Sequence, residues 1–340
     1  MMGKRVTSLD VARLAGVSQS AVSRVFSKGT SVSAAMDKRV RAAAEELGYR
    51  PNVLARSLIT GRSRIIGFVV ANMNNLFYAD AVEKLSHALQ AEGYHLLIFT
   101  MGESGIDLDQ VVDQLMDYQV DGLIAASVTL SGNLVEKCAA AGLPIALFNR
   151  SIERPGLSAV TSDNRAGGRK VAEFLIETGH TRIAHVAGWQ GASTGRDRLA
   201  GLRAGLEAAG QDLHALADGA YDREIACAAA RDMMEAAVPP DALFVGNDDM
   251  ALAVLDMLRF EMGVRVPHDV SVIGYDDIAM ADWPAYRLTT VRQPVRRLVE
   301  ATVAEILAQI EDPDRSARRI EIDGPLVVRD SCRHLQGYVQ

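Results

Sequence analysis

The chain has 340 residues, 49% hydrophobic and 23% charged, with a formal net charge of −7, a composition that fits two or three compact soluble domains. No apolar run approaches the ~18 residues of a membrane helix, and the first ten residues lack the apolar stretch of a secretory signal. Cys138, Cys227 and Cys332 are odd in number and far apart, which gives no disulfide framework, so a cytoplasmic protein with reduced thiols and no membrane contact is expected.

The net charge conceals an asymmetry. Residues 1–65 carry twelve Lys and Arg against four acidic residues, a net of +8, which leaves −15 on the rest. A basic head on an acidic body points to a polyanion partner for the head alone. Thr7 and Asp10 form a capping-box-like start to a first helix, with Val11, Leu14 and Ala15 at helical spacing behind it. The turn Ala15-Gly16-Val17-Ser18 follows, in which Gly16 can take the left-handed conformation and Ser18 can cap a second helix. In that helix Val22, Val25 and Phe26 face inward, and Gln19, Ser20, Ser23 and Arg24 lie toward the other face. A third helix is predicted from after Ser33 to Leu47, with Val40, Ala44 and Leu47 as its stripe and Gly48 as its stop.

Two short helices joined by such a turn can place the second in the DNA major groove. Gln19, Ser20 and Arg24 are the candidates for base edges, since Arg can pair bidentately with guanine and Gln or Ser can both donate and accept. Thr7, Ser18, Ser23 and Ser33 are candidates for both capping and phosphate contact. Beyond Pro51, residues 52–58 make under two helical turns, which need something packed against them to stay ordered.

These residues carry a resemblance. Asp10-Val11-Ala12, Ala15-Gly16-Val17-Ser18, Val22-Ser23-Arg24-Val25, Glu46-Leu47-Gly48-Tyr49-Arg50-Pro51-Asn52, Ala55-Arg56-Ser57-Leu58 and Thr60-Gly61-Arg62-Ser63 resemble the head and hinge of the lactose-repressor/galactose-repressor (LacI/GalR) family. The resemblance implies a head over 1–50 and a hinge helix and linker over 51–64. It also implies a homodimer whose hinges enter the minor groove of a near-palindromic operator, with Leu58 as the wedge, Ala55 beside it and Asn52 nearby. Unstacking one base step costs a few kcal/mol, offset by the contacts of bent DNA.

From residue 65 strand-like apolar runs alternate with helical patterns. Buried parallel strands are predicted at 65–71, 95–100, 122–126, 145–149, 159–161, 183–187, 243–246 and 270–274. Helices are predicted at 79–92, 110–118, 165–178, 196–209, 225–237 and 250–261. The fold class is therefore α/β: an all-α helix-turn-helix head and a doubly wound parallel-sheet body, too long for one sheet. The resemblance extends over this body and implies the two-lobed periplasmic-binding-protein type I fold over 65–340. Its N-lobe would take about 65–161 and 292–323, its C-lobe about 162–291 and 324–340, with crossovers near Ser162, Val291 and Gly324.

Ligands of open α/β sheets bind at the carboxyl ends of strands. Asn72, Asn74, Asn149-Arg150, Asp163-Asn164, Asn247-Asp248 and Tyr275-Asp276-Asp277 stand there, though Asp163 and Asp248 also read as caps of the helices that follow. The resemblance places the effector cleft at Phe77, Asn149, Arg198, Tyr221, Asn247, Asp276 and Gln293, with a carbohydrate-type small molecule as effector. Ala126 and Val295 stand where some sugar-binding members carry Asn and Phe, which removes a hydroxyl partner and an aromatic face.

Enzyme readings find little. Gly191-Ala192-Ser193-Thr194-Gly195 matches the G-x-S-x-G pattern, with His334 the one histidine after Asp276, but Gly188-Trp189-Gln190 lengthens the loop that should be a tight elbow. The seven histidines lack metal-ligand spacing, and no phosphate or dinucleotide loop occurs, so no cofactor or metal is expected. A transport-type sugar-binding protein, which shares the body fold, would not carry the basic head. The expectation is a non-enzymatic repressor whose DNA binding is set by a ligand between two lobes.

Overall fold

The computed structural model describes residues 6–26, 32–50, 62–71, 73–100, 108–128, 132–152, 154 and 156–333. They fall into two compact units, Met1–Ser63 and Arg64–Gln340. Among the described residues no helix is long and apolar enough to cross a membrane.

In the first unit α1 (Ser8–Ala15) opens on a true capping box. The Thr7 hydroxyl accepts from the Asp10 N–H at 3.4 Å and the Asp10 carboxylate accepts from the Thr7 N–H at 3.0 Å. Gly16 closes the helix at φ 63°, in the region where an L side chain is strained. Ser18 caps α2 (Gln19–Val25) by accepting from Ala21, and Ser33 caps α3 (Ala34–Glu46) by accepting from Met36. The core is Val11, Ala12, Ala15, Val22, Val25, Val40, Ala43 and Ala44, with Phe26, Leu47 and Tyr49 against it. Leu14, expected in that stripe, is 47% exposed. The buried face of α1 runs through 11, 12 and 15, and position 14 lies roughly 110° round the helix from its centre.

The second unit holds two sheets. Among the described residues the first has the order β11-β5-β4-β3-β1-β2 and the second β12-β10-β9-β8-β6-β7. The first comprises β1 (Ile65–Val70), β2 (His95–Thr100), β3 (Gly122–Ala126), β4 (Ile145–Phe148), β5 (Ser158–Ser162) and β11 (Arg319–Ile322). The second comprises β6 (Ile183–Ala187), β7 (Ala215–Asp218), β8 (Ala242–Val245), β9 (Ser271–Asp276), β10 (Thr289–Arg292) and β12 (Leu326–Val327). All pairings are parallel except β10 with β12. Helices α4 (Leu76–Ala91), α5 (Leu108–Asp117), α6 (Gly132–Ala140), α7 (Asn164–Glu177), α8 (Ser193–Ala208), α9 (Arg223–Met234), α10 (Asp248–Asp256) and α11 (Val295–Glu311) connect them. A π-helical turn, Met257–Glu261, extends α10.

The sequence reading did not anticipate β7, β10, β11, β12, α6 or α11. Helices also start earlier than expected, because the capping residues stand before the apolar pattern: Asn75 caps α4 and Asp222 caps α9.

The chain passes between the sheets after β5, after β10 and after β11, and these passages lie side by side. The Asp163 N–H donates to Ile322 O at 3.1 Å and the Arg292 N–H donates to Pro325 O at 2.8 Å. A side chain at Gly324 would collide with the Arg292 carbonyl, so this close approach requires glycine.

Candidate functional sites

On the head, α2 turns Ala21, Val22 and Val25 into the core and leaves Gln19, Ser20, Ser23 and Arg24 exposed. This is the face the sequence predicted. Gln19 donates to the Ser8 hydroxyl at 3.0 Å, Ser20 and Ser18 share a 2.9 Å hydroxyl contact, and Arg24 Nε reaches back to Ser20 O at 3.4 Å. Thr7 and Ser18 serve as helix caps, which turns their hydroxyls toward the N-terminal N–H groups of α1 and α2. Asn52, Ala55 and Leu58 lie outside the described residues.

In the body a cleft is lined by Asn75, Tyr78, Ser127, Asn149, Arg150, Thr194, Arg198, Tyr221, Asn247 and Asp276. It draws on the ends of both sheets. Five of the seven sequence candidates line it: Asn149, Arg198, Tyr221, Asn247 and Asp276. The other two stand behind it. Phe77 is buried at 2%, with its ring 6.1 Å from Phe148 and 5.2 Å from Tyr78; its neighbour Tyr78 takes the place expected of it. Gln293 is 3% exposed, and its Nε2 donates to Asp276 Oδ1 at 2.6 Å.

Arg198, 2% exposed, is held on four sides. Nε donates to Asn164 Oδ1 at 2.9 Å, Nη1 to Gly246 O at 2.5 Å, and Nη2 stands 3.5 Å from Asp276 Oδ1. Its guanidinium carbon lies 3.6 Å from the centroid of the Tyr275 ring. Asp276 adopts φ 130°, a conformation L residues rarely take. Burial holds its carboxyl up at about 6, against the pull of Arg198 and the hydrogen bond from Gln293.

The two candidate caps resolve differently. Asp163 caps α7, accepting from Ala166 at 2.8 Å. Asn247 caps α10, accepting from Met250 at 3.0 Å, and Asp248 does not. Asp248 is fully buried instead, accepting from the Thr290 hydroxyl at 2.6 Å and from the Ile278 N–H at 3.0 Å. Burial, then the charge of Asp276, raises its carboxyl to about 8.

Sequence reasoning missed Asn75, Tyr78, Ser127 and Thr194. Thr194 accepts the Tyr221 hydroxyl at 2.8 Å, and its only signal was its place in the G-x-S-x-G stretch. Ser193 opens α8 with its hydroxyl accepting from the Ser151 N–H at 2.9 Å, and His334 lies outside the described residues. His185 is buried against Phe244 with ring centroids 4.5 Å apart, and burial lowers its pKa to about 4, which keeps it neutral. No group of three or more metal-ligating side chains occurs among the described residues.

The fold and these sites define a helix-turn-helix head and a two-sheet body with a polar cleft at the strand ends. Residues 7–52 match the profile for bacterial regulatory proteins of the lacI family, and residues 172–332 match that for a periplasmic binding protein-like domain. The HTH-type transcriptional regulator CelR of Thermobifida fusca is 36% identical, over 96% of this chain and 98% of CelR. The structure of a CelR–cellobiose complex superposes with a TM-score of 0.72 at 34% identity, over 96% of this chain and all of that one. The crystal structure of the Lac repressor dimer bound to operator and the anti-inducer ONPF superposes at 0.85 and 28% identity, over 96% and 99%. The chain belongs to the lacI family of bacterial regulatory proteins, and it is a DNA-binding transcriptional regulator.

Proposed function

We propose that this protein is a cytoplasmic, non-enzymatic repressor that binds a near-palindromic operator as a homodimer and is switched by a small polar effector in the cleft. The α2 face carries the reading: Gln19, Ser20, Ser23 and Arg24 project from a helix whose other side is fixed in the head core. Gln19, Ser20 and Arg24 meet base edges, and Thr7, Ser18 and Ser23 meet phosphate. Asn52, Ala55 and Leu58 serve the minor groove. The Lac repressor was captured as a dimer on operator, and this chain offers an apolar flank for such pairing. Ile225 on α9, Phe260 after α10 and Trp283 are exposed, Phe260 at 81%.

The cleft supports the effector half. Asn149, Arg198, Tyr221, Asn247 and Asp276 line it, with Gln293 bracing Asp276 and Phe77 supporting the wall. Among the described residues Asn149 Oδ1, Arg150 Nε and Gln293 Oε1 are buried without partners, which leaves them free to bond a ligand or water. CelR takes cellobiose, and a polyhydroxylated ligand suits this set of donors and acceptors. The free space between the lining side chains is about 40 Å³, far below the several hundred Å³ of a typical ligand pocket, so binding entails movement of the two sheets or of their side chains. The test is selection of random duplexes on the full-length protein at low ionic strength. A recurring two-fold symmetric motif is expected; enrichment of none refutes the proposal.

A further inference from the structure

The two guanidiniums of the cleft are not equivalent. Arg198 faces Asp276 and gives two more hydrogen bonds to buried oxygens. Arg150 faces no carboxylate within ion-pair distance among the described residues. Its Nη1 donates to the Ser127 carbonyl at 3.0 Å, its guanidinium carbon lies 5.7 Å from the Tyr221 ring centroid, and its Nε is buried without a partner among the described residues. The nearby Tyr78 does not supply an anion, because burial raises its phenol above the ordinary value. Among its lining side chains the cleft therefore presents two guanidiniums and one carboxylate. Asn149 sits beside Arg150 at φ 67°, 4% exposed, with Oδ1 an acceptor that has no donor among the described residues.

Arg150 is half-buried, and a guanidinium partly withdrawn from water gains from an anion that can reach it. Arginine's planar fork matches a carboxylate in two parallel hydrogen bonds. A neutral disaccharide would leave that charge uncompensated. We propose that the effector is a carboxylated sugar, a uronic or aldonic acid, whose carboxylate Arg150 takes while its hydroxyls are shared by Asn149 and the Arg198–Asp276 pair. This inference rests on the reading of the cleft as the effector site.

The test is calorimetric titration of the full-length protein, at fixed ionic strength, with glucuronate, galacturonate and gluconate against glucose, galactose, cellobiose and glucose 6-phosphate. At least one acid should bind about 10- to 100-fold more tightly than its neutral parent, the factor a charge-assisted pair supplies. Arg150→Gln should erase most of that preference and Arg150→Lys restore part of it, with circular dichroism confirming the fold of each. Three results overturn the proposal: no acid binds, a neutral sugar binds as tightly as its acid, or Arg150→Gln leaves the preference intact. Tighter binding of the phosphate ester overturns the carboxylate assignment in particular. Arg198→Met separates the two levels. If neutral sugars bind and this variant abolishes their binding, the cleft stands and only the acid falls; if no binding responds to it, the effector site lies elsewhere.

Discussion

Asp248→Asn is the sharpest test of the electrostatics behind the cleft. The carboxyl is fully buried and held near 8 by burial and by Asp276; in the unfolded chain it titrates near 3.9. Between those values the folded protein keeps a proton that the unfolded chain releases. Stability contributed by the protonated acid is complete below about pH 4 and is lost as pH rises through the folded value, at up to about 1.4 kcal/mol per pH unit. Asparagine can take the same two partners, accepting from Ile278 with its carbonyl and donating to the Thr290 hydroxyl once that group turns. The variant should therefore cost about 1 kcal/mol or less near pH 5. It should overtake the wild type as pH rises, by as much as ~2.7 kcal/mol between pH 5 and 7. Urea unfolding of both proteins at half-unit pH steps measures the difference. Asp276→Asn should shift the upper end of the Asp248 loss to lower pH, because it removes the neighbouring charge that adds to burial. Parallel curves for wild type and Asp248→Asn would show that Asp248 ionises normally in the fold and would refute the argument.

Three further outcomes follow from the same structure. Arg24→Ala should lose about 1–3 kcal/mol of discrimination at one operator position while nonspecific binding persists; an unchanged selected motif would remove Arg24 from base readout. Val22 is 1% exposed in a core of eight small residues, so Val22→Ala should destabilise the head by about 2 kcal/mol. Calorimetry should show the head transition lowered and the body transition unmoved, as expected of two separate units. Phe260→Asp should weaken self-association by about 2 kcal/mol or more if the apolar flank is the dimer face; light scattering showing an unaltered dimer would exclude Phe260 from it.

The head was the most legible part of the sequence because its ends are written in side chains that act locally. Thr7, Ser18 and Ser33 each cap the helix they precede, and Gly16 ends the first helix as its position implies. Leu14 misled because spacing from Val11 cannot tell which neighbouring face α2 and α3 will cover. In the body most of the strands that were recognised are buried on both faces, such as Gly122–Ala126 and Ala242–Val245; His95–Thr100 was recognised by its apolar run although it is partly exposed. Ala215–Asp218 and Arg319–Ile322 are half-exposed edge strands: the first has only three apolar residues in a row and the second alternates charged with apolar ones, so neither carries a long apolar run. The cleft divides in the same way. Residues at strand ends were found, including Asn149 and Asp276. Tyr78 was missed in favour of Phe77 because one helical residue, a turn of about 100°, decides which ring faces the cleft. Asn247 and Asp248 are both competent caps by residue type; the choice between them depends on β10, whose Thr290 draws Asp248 inward.

The position of Asp276 ties ligand chemistry to the passages between the sheets. Gln293 lies in the second passage, immediately after β10, and it bonds Asp276 twice: its backbone N–H donates to Asp276 O at 3.1 Å and its Nε2 to Oδ1 at 2.6 Å. The same passage is bound to the third through Arg292 and Pro325, and the third to the first through Ile322 and Asp163. A ligand that hydrogen-bonds Asp276 therefore engages a carboxylate already attached to the segments that join the two sheets. Because linkage is reciprocal, whatever setting of those segments the ligand favours must, to affect the operator at all, differ in its affinity for DNA by the same factor that DNA alters the affinity for ligand. Coupling of about 1–3 kcal/mol, the usual range, is comparable to one or two charge-assisted hydrogen bonds. The rearrangement of the Asp276–Gln293 pair alone is thus of the right size to carry the signal out of the cleft, without any large change in the cores of the two sheets.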